Sequence, residues 1–158
     1  MAEFKTNVMR ILDQKKIKYK SYSYADTEAI SGVEVAKVLI QDERQVFKTL
    51  VTVGASKKNY VFVIPVHKEL DLKKAAKVVG EKNVEMIKSK ELLGLTGYIH
   101  GGCSPIGMKK LFKTVIDISS NDFDTIIFSA GKIGYQVEVN LSDIKDLIKY
   151  ELEDIVVN

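Results

Sequence analysis

The spacing of apolar positions changes several times along the chain, and each change predicts an element. Phe4, Val8, Ile11 and Leu12 recur at helical spacing, and Lys15, Lys16 and Lys18 close the helix they predict. Residues 19–31, YKSYSYADTEAIS, are alternating and tyrosine-rich, which predicts a short strand running into a loop. A second helix is predicted over 31–40, apolar at Val35, Val38 and Leu39. Residues 44–54 alternate and are β-branched, the mark of a strand. Gly54 and the ASKKN that follows turn it into a hairpin partner over 60–66, which Pro65 ends or places at an edge. A helix over 71–80 starts near Asp71 and stops at Gly80, and another turn or two of helix begins at the capping candidate Ser89. Strands follow over 114–119, 125–131 and 135–140, and residues 141–155 carry the period of an amphipathic closing helix.

That order lacks the regular strand–helix alternation of a doubly wound fold. Its strands bunch in two groups, which predicts an α/β fold of the α+β type: a mixed or antiparallel curved sheet with helices packed outside. There is no repeat, low-complexity tract or linker, and 158 residues suit one domain spanning 1–158.

Composition narrows the classes. No run approaches the ~20 apolar residues that span a bilayer. The N-terminal segment carries acids and amphipathic spacing where a signal peptide has an apolar core, so a cytoplasmic location is expected. Cys103 is the only cysteine and His67 and His100 the only histidines, so no disulfide framework, metal site or cofactor is expected. The net charge of +3 is mild, and only Arg10 and Arg44 are arginines. Lysines suit general attraction to phosphate more than readout of bases.

The chemistry concentrates in residues 97–110, GYIHGGCSPIGMKK. Gly97, Gly101, Gly102 and Gly107, four of the ten glycines, stand there with Pro105. Glycine lets main-chain N–H groups approach a ligand, so the stretch is either a cradle for a phosphate or carbonyl oxygen or a bulged turn. It has neither the Walker nor the dinucleotide spacing. Lys48 shares strand parity with Val46 and Leu50. If that face is the core, Lys48 points inward to a carboxylate or an anionic ligand; otherwise it snorkels from an edge. Tyr19, Tyr22 and Tyr24 either pack or position a substrate. His100 is either a general base or a surface residue, and Cys103 reads as structural filling.

Three spaced motifs, VFKTLV, GYIHGGCSPIGMKK and SAGKIGYQVEV, resemble those of the YbaK/EbsC family of Cys-tRNA(Pro) deacylases and of the related editing domain in bacterial prolyl-tRNA synthetases. The resemblance implies a curved, largely closed mixed sheet or barrel with surrounding helices. It also implies trans-editing: cleavage of the ester of mischarged Cys-tRNA(Pro), and of Cys-tRNA(Cys) as a further substrate. Thiol assistance, in which the substrate's own sulfur closes a cyclic thioester, makes that step formally lyase-like. The partners implied are the 3′ aminoacyl end of tRNA and prolyl-tRNA synthetase, with no membrane and no metal. By motif match Lys48, Gly101, Gly102 and Tyr24 are the catalytic residues, and Ser104, Gln136, Glu138 and Tyr98 bind substrate. Lys109, Lys110 and Lys113 either favour the RNA backbone or form a solvated helix start. Some members carry an acid where this chain has Gln136. Either Glu138 takes part, or the acid is dispensable, or amino-acid selectivity differs. An Ala-tRNA(Pro) deacylase and a non-catalytic aminoacyl-tRNA or nucleotide-binding module remain the alternatives.

Overall fold

Thr6 opens the first helix: its hydroxyl accepts from the Met9 N–H at 3.2 Å, and α1 (Asn7–Gln14) follows. The structure, a computed structural model, describes residues 4–29 and 31–158. Residues 1–3 and Ile30, in the loop expected over 19–31, lie outside the described residues. Phe4 precedes the helix rather than belonging to it, and stacks on Tyr135 with ring centroids 4.6 Å apart. α2 (Gly32–Val38) begins with a capping box between Ser31 and Glu34. It buries Val35 and Ala36, whereas Val38 faces solvent. In α3 (Leu72–Val79) the Asp71 carboxylate caps the N–H groups of Lys73 and Lys74, and Gly80 ends the helix in the left-handed conformation, as its pattern predicted. α4 (Ser89–Thr96) begins at Ser89 as expected, but Lys88 rather than Ser89 is its N-cap, and no side chain caps it.

The strands are β1 (Lys20–Ser23), β2 (Phe47–Gly54), β3 (Asn59–Pro65), β4 (Val84–Met86), β5 (Lys113–Asp117), β6 (Ile126–Ser129), β7 (Tyr135–Val139) and β8 (Tyr150–Glu153). The hairpin β2–β3 forms as predicted, with Lys48 opposite Ile64 and Pro65 as the last residue of β3. Where one curved, largely closed sheet was expected, the described residues pair in two: β1-β7-β6 and β4-β2-β3-β5-β8. A parallel bridge between Val46 and Ile127 joins them. The first sheet is antiparallel; the second is mixed, because β5 runs parallel to both β3 and β8.

Two elements depart from the pattern. The short strand β4 went unpredicted, and the helix expected over 141–155 is a 3-10 turn at Leu141–Ile144 followed by β8. Tyr150 and Leu152 pack on the core while Glu151 and Glu153 stay exposed, a period of two inside a longer helical period. The pairing of β8 with β5 satisfies main-chain groups that a helix there would leave open on the β5 edge.

β3 is buried on both faces, which explains its unbroken apolar run. One face, with Val61 and Val63, joins Val8, Leu12, Phe128 and Val137 in the main core. The other, with Phe62 and Ile64, packs under Ala75 and Ala76 of α3. Among the described residues no helix is long and apolar enough to cross a membrane.

Candidate active site

A cleft of about 400 Å³ opens beside β2, where Lys48, Tyr24, Gly101 and Gln136 meet. Four separate parts of the chain supply them. Lys48 comes from β2, Tyr24 from the residue after β1, Gly101 from the glycine-rich stretch and Gln136 from β7. Gly32 lets α2 come close: a Cβ there would fall 2.3 Å from Val66 Cγ1.

Lys48 is half-buried, and its ammonium makes no hydrogen bond or ion pair with a described residue. Burial lowers its pKa, against a weaker opposing pull from Glu69. A partly desolvated cation without a partner attracts an anionic group. Tyr24 is buried; its N–H donates to the Gly134 carbonyl at 2.7 Å, which ties this residue to the turn before β7. Thr49, next to Lys48, lines the cleft with a buried hydroxyl that has no partner among the described residues.

The glycine-rich stretch is braced from behind. The Tyr98 hydroxyl donates to the Ile106 carbonyl, and the Thr96 hydroxyl oxygen accepts from the Tyr98 N–H. Gly107 adopts φ 78°, and a Cβ there would lie 2.8 Å from the Tyr98 hydroxyl. Gly101, at φ 87°, is the member of the pair that lines the cleft. Gly102 stands behind it, where a Cβ would come 3.1 Å from the Ile133 nitrogen, and its N–H is spent on the Ile99 carbonyl. The N–H groups of Gly101, Cys103 and Ser104 have no hydrogen-bond partner among the described residues. Such main-chain donors can receive a developing oxyanion.

Three of the residues expected to bind substrate, Ser104, Tyr98 and Glu138, stand outside the lining. Ser104 is fully buried, and its hydroxyl accepts from the Ile106 N–H. Tyr98 shapes the stretch through Ile106. Glu138 accepts hydrogen bonds from the hydroxyls of Tyr22 and Thr125, and the Tyr22 pKa is pushed up to about 12 by that carboxylate. Cys103 lines the cleft, but burial pushes its thiol to about 12, which leaves it protonated and a weak nucleophile near neutrality. His100 also lines the cleft, while staying exposed. Thr49 and Gln41, whose amide reaches Gln136, escaped prediction: a threonine in a strand and a glutamine after a helix carry no pattern.

The sequence model of the aminoacyl-tRNA editing domain matches residues 27–147, which takes in every cleft residue named above except Tyr24. The chain is 50% identical over 136 residues to a protein of Enterococcus faecalis named "Putative Cys-tRNA(Pro)/Cys-tRNA(Cys) deacylase EbsC". That match covers 85% of this chain and 83% of the relative. Two solved structures share the fold. One, described as "a putative trans-editing enzyme for prolyl tRNA synthetase", aligns with a TM-score of 0.83 at 21% identity over 99% of this chain and 100% of that one. The other, described as a hypothetical protein, aligns with a TM-score of 0.86 at 19% identity over 96% of this chain and 100% of its own.

The protein is thus, in class, an aminoacyl-tRNA deacylase, acting on aminoacyl-tRNA. It belongs to the aminoacyl-tRNA editing domain family, and the resemblance to the YbaK/EbsC deacylases holds.

Proposed function

We propose that this chain, as a single editing domain over 1–158, clears cysteine from mischarged Cys-tRNA(Pro), and from Cys-tRNA(Cys) as a further substrate. The observation that carries the reading is the half-buried, unpaired Lys48 in one cleft with the unspent Gly101 N–H. In the same reading the two sheets act as one curved, largely closed wall, with the Val46–Ile127 bridge as its seam.

An aminoacyl ester is already activated, so positioning and charge stabilisation supply most of what cleavage needs. The substrate's thiol attacks its own carbonyl carbon. A carbon–sulfur bond forms, the ester carbon–oxygen bond breaks, and the thiol proton leaves with the ribose oxygen. The main-chain N–H of Gly101 receives the negative charge that builds on the carbonyl oxygen. Lys48 holds the terminal phosphate or that same charge, and Tyr24 closes the side of the cleft towards β1. The substrate is the source of sulfur in this reading, which the raised pKa of the protein's own Cys103 thiol supports. Gly102, Tyr98 and Ser104 keep the stretch in shape, and Glu138 steadies β7 below Gln136. Specificity for the tRNA body comes from recruitment by prolyl-tRNA synthetase.

The test is deacylation of Cys-tRNA(Pro) against Ala-tRNA(Pro), with Lys48→Ala as control. Loss of the cysteinyl ester alone is expected, with a fall of about a hundredfold or more in the variant. Loss of the alanyl ester at a similar rate would move the protein to alanine editing without thiol assistance. No loss of either ester, with saturable tRNA binding, would leave a binding module.

A further inference from the structure

The Gln136 amide in the cleft is one half of a pair. Gln41 Nε2 donates to Gln136 Oε1 at 2.9 Å, while Gln41 Oε1 is buried without a partner among the described residues. Gln136 is 5% exposed and lines the cleft, so in this arrangement its Nε2 is the end left for a ligand. A carboxamide exchanges donor and acceptor on a half-turn. If both amides turn, the link persists with its direction reversed: Gln136 Nε2 donates to Gln41 Oε1, and Gln136 Oε1 faces the cleft. Each arrangement leaves one end of Gln41 buried and unpaired, so the count of hydrogen bonds favours neither. A ligand that needs an acceptor selects the second.

The main chain holds Gln41 in reach. Beyond α2 the Ile40 N–H donates to the Lys37 carbonyl and the Gln41 N–H to the Ala36 carbonyl at 2.8 Å, with Ile40 at φ 54° between them. Glycine is the usual residue at that left-handed position. Ile40 is 93% exposed, so its side chain is not there to be buried. The turn fixes Gln41, and pairing with Tyr22 fixes Gln136 in β7.

Resting on the deacylase reading, we propose that Gln41 is the positioning residue for amino-group recognition. With an aminoacyl ester in the cleft, Gln41 Oε1 accepts from Gln136 Nε2, and Gln136 Oε1 receives the α-amine of the amino acid. A carboxylate at position 136 has two equivalent oxygens and needs no such partner. A carboxamide has one, and the partner decides where it points.

The experiment compares Cys-tRNA(Pro) with 3-mercaptopropionyl-tRNA(Pro), which keeps the thiol and lacks the amine. Gln41→Met should raise KM about tenfold for the cysteinyl substrate, with kcat within about twofold, and leave KM for the desamino substrate unchanged. Adding Gln136→Glu to that variant should restore KM, because the carboxylate presents an oxygen unaided. An equal rise for both substrates, or no rise for either, overturns the proposal while the deacylase reading stands. Absence of turnover by the unsubstituted protein overturns both. If Gln41→Met does not fold, Gln41→Glu carries the test: as an acceptor it should keep KM within about threefold, and a tenfold rise overturns the proposal.

Discussion

Lys48 weighs against folding. Burial sets its pKa below the ordinary lysine value, so the unfolded chain holds the proton more tightly than the folded one. The penalty is fully present at neutral pH and is relieved as pH rises through the lowered pKa. Lys48→Met should therefore melt no lower than the parent at pH 7 while losing turnover. Its advantage should shrink as pH approaches the ordinary lysine range, and paired melts at neutral and alkaline pH check both signs. At this scale the sequence was informative where a residue violated its surroundings. A lysine in an apolar strand and four glycines in eleven positions both marked the cleft. Gln41 and Thr49 violated nothing: Thr49 alternates like any other strand residue, and the role of Gln41 arises from a contact across 95 residues, its pair with Gln136.

The end of α2 shows an element finished against local preference. A left-handed conformation costs a residue with a Cβ roughly 1–2 kcal/mol. Glycine at position 40 removes that cost but adds back roughly 0.4–1 kcal/mol through a freer unfolded chain. Because Ile40 buries almost nothing, Ile40→Gly should stabilise by about 0.5–1 kcal/mol, seen as a rise of about 2 °C in Tm. A lower Tm would show that the isoleucine has contacts which its exposure hides. Caps and turns were the legible parts of the elements: Asp71, Gly80 and the β2–β3 hairpin stand where their chemistry predicted. The segment 141–155 departs from its pattern because Leu141, Ile144, Ile148 and Leu152 match a helical period by coincidence. Its strand period spans only four residues, and pairing with β5 decided the matter.

For the whole molecule, that pairing predicts how the fold fails. Ile155 is fully buried, its N–H donates to the buried Asp117 at 3.1 Å, and Lys74 reaches both Asp154 and the Val156 carbonyl. Ending the chain at Lys149 should uncover β5, remove Ile155 from the packing under α3 and abolish the cooperative melt. A sharp transition in the shortened protein would show β8 to be dispensable. The division of strands into two groups was legible, but the division into two sheets was not, because β1 joins β6 and β7 across most of the chain. The hydrogen bond from Tyr22 to Glu138 spans 116 residues. That span bears on synthesis: β1 leaves the ribosome well before β7 and has no sheet partner until β7 follows. An apolar strand left waiting so long would invite association with other nascent chains. Lys20, Ser21, Tyr22 and Ser23 make a strand polar enough to wait in water, and its weak apolar pattern is what a late-pairing segment needs.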